Sequence, residues 1–295
     1  MTALNPNTSN YLLEELSPLI EGLNSITDVT PLSGGDINEA CRLTTNQGSL
    51  FLKRNSARQF PGMFEKEAEG LKLLAAPGVI RTPEVIWFGE VNDEALLVLE
   101  FIGAGKRKPD FAENFGNRLA ALHAEHSDYF GLDHDNYIGS LPQSNNKHST
   151  WSDFMVNERL EPQFEEAYNR GHFHVSDRRA MERLFENLDR IFPQERPSLI
   201  HGDLWGGNYL VDENGNPVLI DPAVYYGHRE MDIAMMHLFG GFDEEVFHYY
   251  DQACPLQPDW KKRLALCNLY PLLVHVNLFG GGYARQVMGN LANFV

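Results

Sequence analysis

Apolar positions recur along this chain with two different periods, and the change from one to the other organises the sequence. Residues 9–23 place Leu12, Leu16, Leu19 and Leu23 at helical spacing, with Pro18 expected as a kink. Strand-like runs follow at 26–32 and 37–45, flanking Ser33-Gly34-Gly35-Asp36, and at 49–54 after the Asn46-Gln47-Gly48 turn. Residues 62–76 return to a helical stripe of Phe64, Ala68, Leu71 and Ala75, stopped by Pro77-Gly78. Two more strands, 84–90 and 95–101, read as a hairpin around Asn92-Asp93. Beyond about residue 102 the helical period dominates, over 110–127, 151–170, 177–191 and 230–295. Two interruptions stand out. Residues 128–150 are rich in Gly, Asn, Ser and Asp, and a loop this long in a compact domain is usually functional. Residues 199–221 hold two short apolar runs around Asn214-Gly215, the signature of a tight hairpin. The pattern predicts an α+β protein in two lobes, a small antiparallel sheet over 1–102 and a mainly helical part over 103–295.

Composition narrows the setting. The 295 residues are 43% hydrophobic, enough for a real core. No apolar run approaches the roughly 20 residues that span a bilayer, and the first residues lack the basic start and apolar centre of an export signal. Three cysteines without paired spacing suit a reducing compartment, so a cytoplasmic protein is expected. The net charge of −17 argues against nucleic acid or an anionic membrane as partner and is compatible with a cationic substrate. Oligomeric state is not written in the sequence, and a monomer is favoured. The eleven histidines show no ligand spacing; His123 and His126 read as packed or surface helix residues. Lys106-Arg107-Lys108 reads as a solvated linker.

The chemistry gathers in the hairpin. Leu199-Ile200 delivers His201-Gly202-Asp203-Leu204-Trp205, Asn208 follows five residues after Asp203, and Asp221 closes the second apolar run. A hairpin folded on itself brings Asp203, Asn208 and Asp221 to one end. Two carboxylates and an amide there suit one general base and a Mg²⁺ held between carboxylate, amide oxygen and phosphates. His-Gly-Asp with Asn five residues on is the catalytic loop as small-molecule kinases write it. Lys53, in the apolar strand Leu50-Phe51-Leu52-Lys53, is placed to grip phosphates beneath the turn of Gly34 and Gly35. The following helix offers three glutamates to fix that lysine. Glu67 is chosen as the fourth residue of Phe64-x-x-Glu67, with apolar Leu71 one turn on, and Glu65 and Glu69 are competitors. Strand 95–101 ends in Glu100-Phe101-Ile102, where chain leaving a core strand presents backbone groups of the kind that bind adenine. Asp232 reads as a helix-start carboxylate able to brace the catalytic turn. After Asp221 the chain runs directly into a helix, without Asp-Phe-Gly, a long activation segment or Ala-Pro-Glu, so a small or flexible acceptor is expected rather than a docked folded protein.

With Lys53, Glu67, Asp203, Asn208 and Asp221 in this order, the chain resembles the aminoglycoside-phosphotransferase-like branch of the kinase fold. More closely it is similar to the fructosamine kinase (ketosamine-3-kinase) family. The likeness spans nearly the whole chain, through Gly34-Gly35-Asp36-Ile37-Asn38, the Met63–Glu67 segment, Tyr137-Ile138-Gly139, Trp151, Phe154, Arg159-Leu160, the His201–Asn208 loop, the Asp221–Glu230 run and the Leu238–Phe242 segment. The resemblance implies a protein-kinase-like fold. It implies ATP-dependent phosphorylation of the sugar 3-hydroxyl of ketosamines, small or protein-bound, in a deglycation pathway. Carried over, Asp203 is the base and Asn208 and Asp221 hold Mg²⁺. Lys53 with Glu67 grips the phosphates of ATP, and residues 100–102 form the adenine hinge. Read from the residues themselves, Trp205 beside the base can stack on a sugar ring, and His201 is expected at the substrate with it. Asp36 stands where many eukaryotic members carry cysteine, and Gly206 replaces a frequent serine. Two rivals stand beside this reading: a kinase of another small alcohol, such as an aminoglycoside or choline, and an inactive nucleotide-binding module.

Overall fold

The computed structural model describes residues 4–32 and 38–295. The expected Gly34-Gly35 turn lies outside the described residues. The first helix, α1 (Pro6–Leu16), starts at Asn5, whose side-chain oxygen accepts from the Asn7 N–H. It ends before Pro18 instead of kinking there: proline brings no N–H to the ladder, and its ring collides with the carbonyl four residues back. Strands β1 (Ile26–Leu32), β2 (Glu39–Thr45) and β3 (Gly48–Ser56), helix α2 (Met63–Ala75), and strands β4 (Val85–Val91) and β5 (Glu94–Glu100) follow. Among the described residues these strands make one antiparallel sheet in the order β1-β2-β3-β5-β4.

Strand β5 reads as an unbroken apolar run because both of its faces are covered. Leu96 and Val98 pack with Leu43 and Leu52 under Leu12 and Leu16 of α1. Ala95, Leu97 and Leu99 face the opposite way, onto Phe64, Ala68 and Leu71 of α2. The register pairs Lys53 with Leu97. Lys53 therefore stands on the α2 face of the sheet.

The helical part begins with α3 (Phe111–His123). Within 128–150 only two short strands form, β6 (Asn136–Ile138) and β7 (Leu141–Gln143), yet this segment is tied down at both ends. Tyr137 Oη donates to Pro61 O (3.0 Å), and His134 Nε2 lies 3.1 Å from Glu69 Oε2 of α2. Asn136 Nδ2 donates to Val224 O (2.8 Å), while Tyr270 Oη donates to Gln143 Oε1 (2.6 Å).

The helix expected over 151–170 is interrupted. Helix α4 (Trp151–Phe154) passes into a π-helical turn over Met155–Leu160 before α5 (Glu161–Asn169). Pro162 supplies the reason: it has no N–H to give the Glu158 carbonyl, and Arg159 Nη1 takes that carbonyl instead (2.9 Å). The fully buried guanidinium also donates to Ser144 O (2.5 Å) and Asn145 Oδ1 (2.6 Å), and it stacks on Tyr225, 4.0 Å from the ring centre. One buried cation thus anchors the 128–150 segment to the core.

Helices α6 (Val175–Phe185) and α7 (Leu188–Ile191) lead to β8 (Ser198–Ile200), the hairpin β9 (Tyr209–Val211) with β10 (Pro217–Leu219), and β11 (Tyr225–Gly227), which pairs with β8. The hairpin turn is longer than a two-residue connection. Asp212 Oδ1 accepts from the N–H of Asn214 (2.9 Å) and Asn216 (2.8 Å), with Gly215 at φ 76°. Helices α8 (Glu230–Phe239), α9 (Glu244–Ala253), α10 (Trp260–Cys267), α11 (Leu269–Phe279) and α12 (Tyr283–Leu291) complete the chain. Among the described residues no helix is long and apolar enough to cross a membrane.

Because Leu12 of α1 is fully buried beneath the sheet, Leu12→Ala should cost about 2–5 kcal/mol of stability by cavity formation. Denaturant unfolding would read that loss, with the folded fraction keeping its activity.

Candidate active site

The structure brings five predicted side chains into one group. Lys53 Nζ lies 2.7 Å from Glu67 Oε1 and 2.7 Å from Asp221 Oδ1, with the Lys53 side chain only 7% exposed. Burial alone would depress the lysine pKa, but the two carboxylates outweigh it and hold Lys53 above its usual range. It stays a cation. Of the three glutamates on α2, Glu67 makes this contact; Glu69 pairs with Lys66 and His134, and Glu65 is exposed.

Asp221 carries the other half of the pair at the end of β10, with its backbone in the left-handed region at φ 53°. Its carboxylate is 43% exposed, open enough to meet a ligand. Asn208 follows from the hairpin: its backbone C=O accepts from Ile220 N–H (3.1 Å), which sets it across from Asp221. Its Nδ2 donates to both the backbone O and the Oδ2 of Asp203, each at 2.9 Å. The same Nδ2 also reaches the Asp221 backbone O (3.5 Å), so this amide ties the Asp203 turn to Asp221. A carboxylate and an amide oxygen are hard donors of the type Mg²⁺ selects, so the residues fit that ion. Burial pushes the Asp203 carboxyl well up, helped by the nearby charges of Asp221 and Asp232 and opposed by the Asn208 hydrogen bond.

The turn bearing Asp203 is held from behind. Asp232 Oδ2 accepts from His201 N–H (2.7 Å) and Oδ1 from Gly202 N–H (2.9 Å), while His123 Nε2 lies 3.2 Å from Oδ2. The expectation that Asp232 braces this turn therefore matches the geometry. Gly202 sits at φ 82°, and a Cβ there would fall 2.1 Å from Ala223 O, so no other residue fits without moving backbone.

His201, expected at the substrate, is a correction. It is fully buried, Nε2 donates to Ile220 O (2.9 Å), and Nδ1 accepts from Asp203 N–H (3.3 Å). A ring with both nitrogens used inside the protein shapes the Asp203 turn and reaches no acceptor. Burial depresses its pKa, in keeping with a neutral ring. Trp205 differs: the residue is 40% exposed, and its ring meets Phe239 edge-on, 6.5 Å between ring centres. At the end of β5, the Glu100 N–H is already taken by Glu84 O (2.9 Å) and the Glu100 carboxylate by Arg81 (2.5 Å). Phe101 and Ile102 carry the backbone that runs on beyond the ladder.

The sequence pattern missed three supports. Arg81 Nη1 reaches Asp212 (2.8 Å) as Nη2 reaches Glu100, and its carbonyl accepts from Leu219 N–H (2.9 Å), so one residue joins the sheet to the hairpin. Arg107, in the run expected to be merely solvated, pairs with Asp243 (2.7 Å) and donates to Tyr209 Oη. His123 closes the Asp232 network and contacts Tyr250 Oη at 2.8 Å. Each is a long-range partnership, and local spacing carries no signal for it. A larger open depression of about 530 Å³, bordered by Asp110, Glu113 and Arg118, contains none of the grouped residues.

Comparison with known proteins accounts for this constellation. The family model described as fructosamine kinase matches residues 12–295. The chain belongs to that family. It is 38% identical over 282 residues to a probable ketoamine kinase of Enterococcus faecium, covering 95% of this chain and 100% of the relative. It is 37% identical over 290 residues to the chloroplastic protein-ribulosamine 3-kinase of Arabidopsis thaliana, covering 94% and 86%. Among solved structures, a protein of Thermobifida fusca assigned as a fructosamine-3-kinase superposes with a TM-score of 0.86 at 33% identity over 98% of this chain and 99% of that one. The aminoglycoside phosphotransferase APH(4)-Ia, at 16% identity and a TM-score of 0.66 over 98% of each chain, shares the fold. The fructosamine kinase family protein is therefore a bilobal, protein-kinase-like ATP-dependent phosphotransferase.

The brace generates a pH prediction. Burial alone would raise the Asp232 pKa, but the His123 and His201 contacts hold it below its ordinary value. Its contribution to stability is thus complete above the unfolded value of about 3.9 and is lost as pH falls through the lower folded value. Asp232→Ala, leaving two N–H groups without their acceptor, should lose on the order of 2–4 kcal/mol at pH 7. The deficit relative to wild type should shrink below pH 4, as urea unfolding across that range would show.

Proposed function

We propose that this chain transfers the γ-phosphoryl group of ATP to the sugar 3-hydroxyl of a ketosamine, the rearranged adduct of a sugar with an amine or protein lysine, as part of deglycation. The observation that carries the reading is Lys53 held 2.7 Å from both Glu67 and Asp221 beside Asp203, in a chain of the fructosamine kinase family. Relatives named ketoamine kinase and protein-ribulosamine 3-kinase support the acceptor class.

In this reading Asp203 accepts the proton of the attacking hydroxyl, and its raised pKa brings it closer to working pH. Asn208 and Asp221 would hold Mg²⁺, which neutralises charge on the phosphates when bound. Lys53, kept charged and aimed by Glu67, pairs with the phosphates. Phe101 and Ile102 offer backbone groups to adenine past Glu100, and Gly34 and Gly35 are assigned to nucleotide binding from the sequence. Trp205 offers its exposed face to the sugar. We place the boundary between the lobes near residue 102 and the protein in the cytoplasm as a monomer, consistent with a net charge of −17 and cysteines that are free among the described residues.

Incubation with ATP and ribulose-lysine, fructose-lysine or kanamycin tests the acceptor class: one or both ketosamines should be phosphorylated, and transfer to kanamycin alone would rule the reading out. Asp203→Ala should lower kcat by about 10²–10⁴-fold while nucleotide binding, followed by calorimetry, persists. Asp221→Ala should weaken Mg-ATP binding instead; an unchanged Mg²⁺ dependence in that variant would remove it from the metal site.

A further inference from the structure

Exposed large apolar side chains are few among the described residues, and three of them belong to one run of ring contacts that begins at Trp205, two residues after Asp203. Trp205 is 40% exposed, Phe239 40% and Phe279 56%. Trp205 meets Phe239 at 6.5 Å between ring centres, and His275 joins Phe239 (4.9 Å) to Phe279 (5.5 Å) and Tyr283 (5.0 Å). The same His275 lines a narrow cavity that runs to Gly202 and Asp203 past Met235. His275 is thus shared by the cavity beside Asp203 and the ring surface.

The cavity measures about 20 Å³, room for little more than one water. A sugar–amine adduct cannot enter it whole, so most of the acceptor lies outside it, and His275 leads from its lining to the exposed rings. Ketosamine chemistry then decides which part. The nitrogen sits on C1, four bonds from the 3-hydroxyl, and at neutral pH it is a secondary ammonium. Aromatic faces attract such a cation, most strongly where water is excluded. The His275 ring adds no opposing charge: Nδ1 donates to Pro271 O (2.7 Å), and burial depresses its pKa, so it is neutral. The strongly acidic chain favours the same cation.

We infer that Phe239, Phe279 and Tyr283, gathered by His275, form the subsite for the amine half of a lysine-borne ketosamine, taking its ammonium and aliphatic stem while the sugar lies toward Trp205 and Asp203. The inference rests on the ketosamine reading above and assigns the part of the substrate that does not react. The binding surface is open on its outer side, which lets the stem continue into a polypeptide.

The test compares side chains of similar bulk with and without a ring. Phe239→Leu and Phe279→Leu should each raise KM for a ribulose adduct on a lysine-containing peptide about 5- to 30-fold, the range of a lost cation–aromatic contact, with kcat and the KM for ATP unchanged. Phe239→Tyr and Phe279→Tyr should restore wild-type KM. Leu and Tyr variants with the same KM, or a fall in kcat at constant KM, would overturn the subsite. So would sedimentation showing a wild-type dimer that Phe279→Leu separates, since the rings would then cover a second copy. Wild-type inactivity toward every ketosamine would instead overturn the underlying reading and this inference with it.

Discussion

A lysine buried between two carboxylates is the constraint on which the rest of this structure depends. Lys53 comes from the sheet, Glu67 from the helix packed on it and Asp221 from a hairpin 168 residues further on. A buried ammonium without partners would cost several kcal/mol, whereas removing one partner from such a pair leaves an uncompensated charge. The fold consequently has to bring these elements together, and each is positioned by ordinary packing: β5 filled on both faces, α2 lying over one of them, and β9 pairing with β10.

Protein kinases control the equivalent of α2 through a long activation segment, which this chain lacks. Its place is taken by fixed contacts. The 128–150 segment touches the start of α2 through Tyr137 and Pro61, reaches Glu69 through His134, and supports the chain after Asp221 through Asn136 and Gln143. Arg159, buried at the π-helical turn, holds that segment in turn. These contacts hold α2, and with it Glu67 beside Lys53, from the helical side.

Much of this was legible because it is local. Strand and helix periods located the sheet, Lys53 and α2, and the Phe-x-x-Glu spacing with Leu71 one turn on picked Glu67 from its two neighbours. The spacing of Asp203, Asn208 and Asp221 was readable because a hairpin is a short-range object. Asp232 could be read as a brace since a carboxylate at a helix start next to a catalytic turn has few other uses. What escaped was long-range or buried. His201 has the residue type of a substrate contact, but its burial, and with it the use of both ring nitrogens, comes from tertiary packing. Arg107 and Arg81 have partners more than 100 residues away, and a short basic run says nothing of them. The break at Met155–Leu160 was in principle visible from Pro162, whose missing donor is felt one turn earlier. The Gly34-Gly35 turn lies outside the described residues.

Arg81 has a mechanical consequence. Through its carbonyl it extends the β10 edge, and through its guanidinium it ties Glu100 to Asp212. Swinging the sheet away from the helical part about the 100–105 connection would rupture an ion-pair network and a backbone hydrogen bond together. Any opening that admits or releases a nucleotide must therefore pivot around this rivet, with displacement growing toward the far edge of the sheet, where β1 and β2 lie.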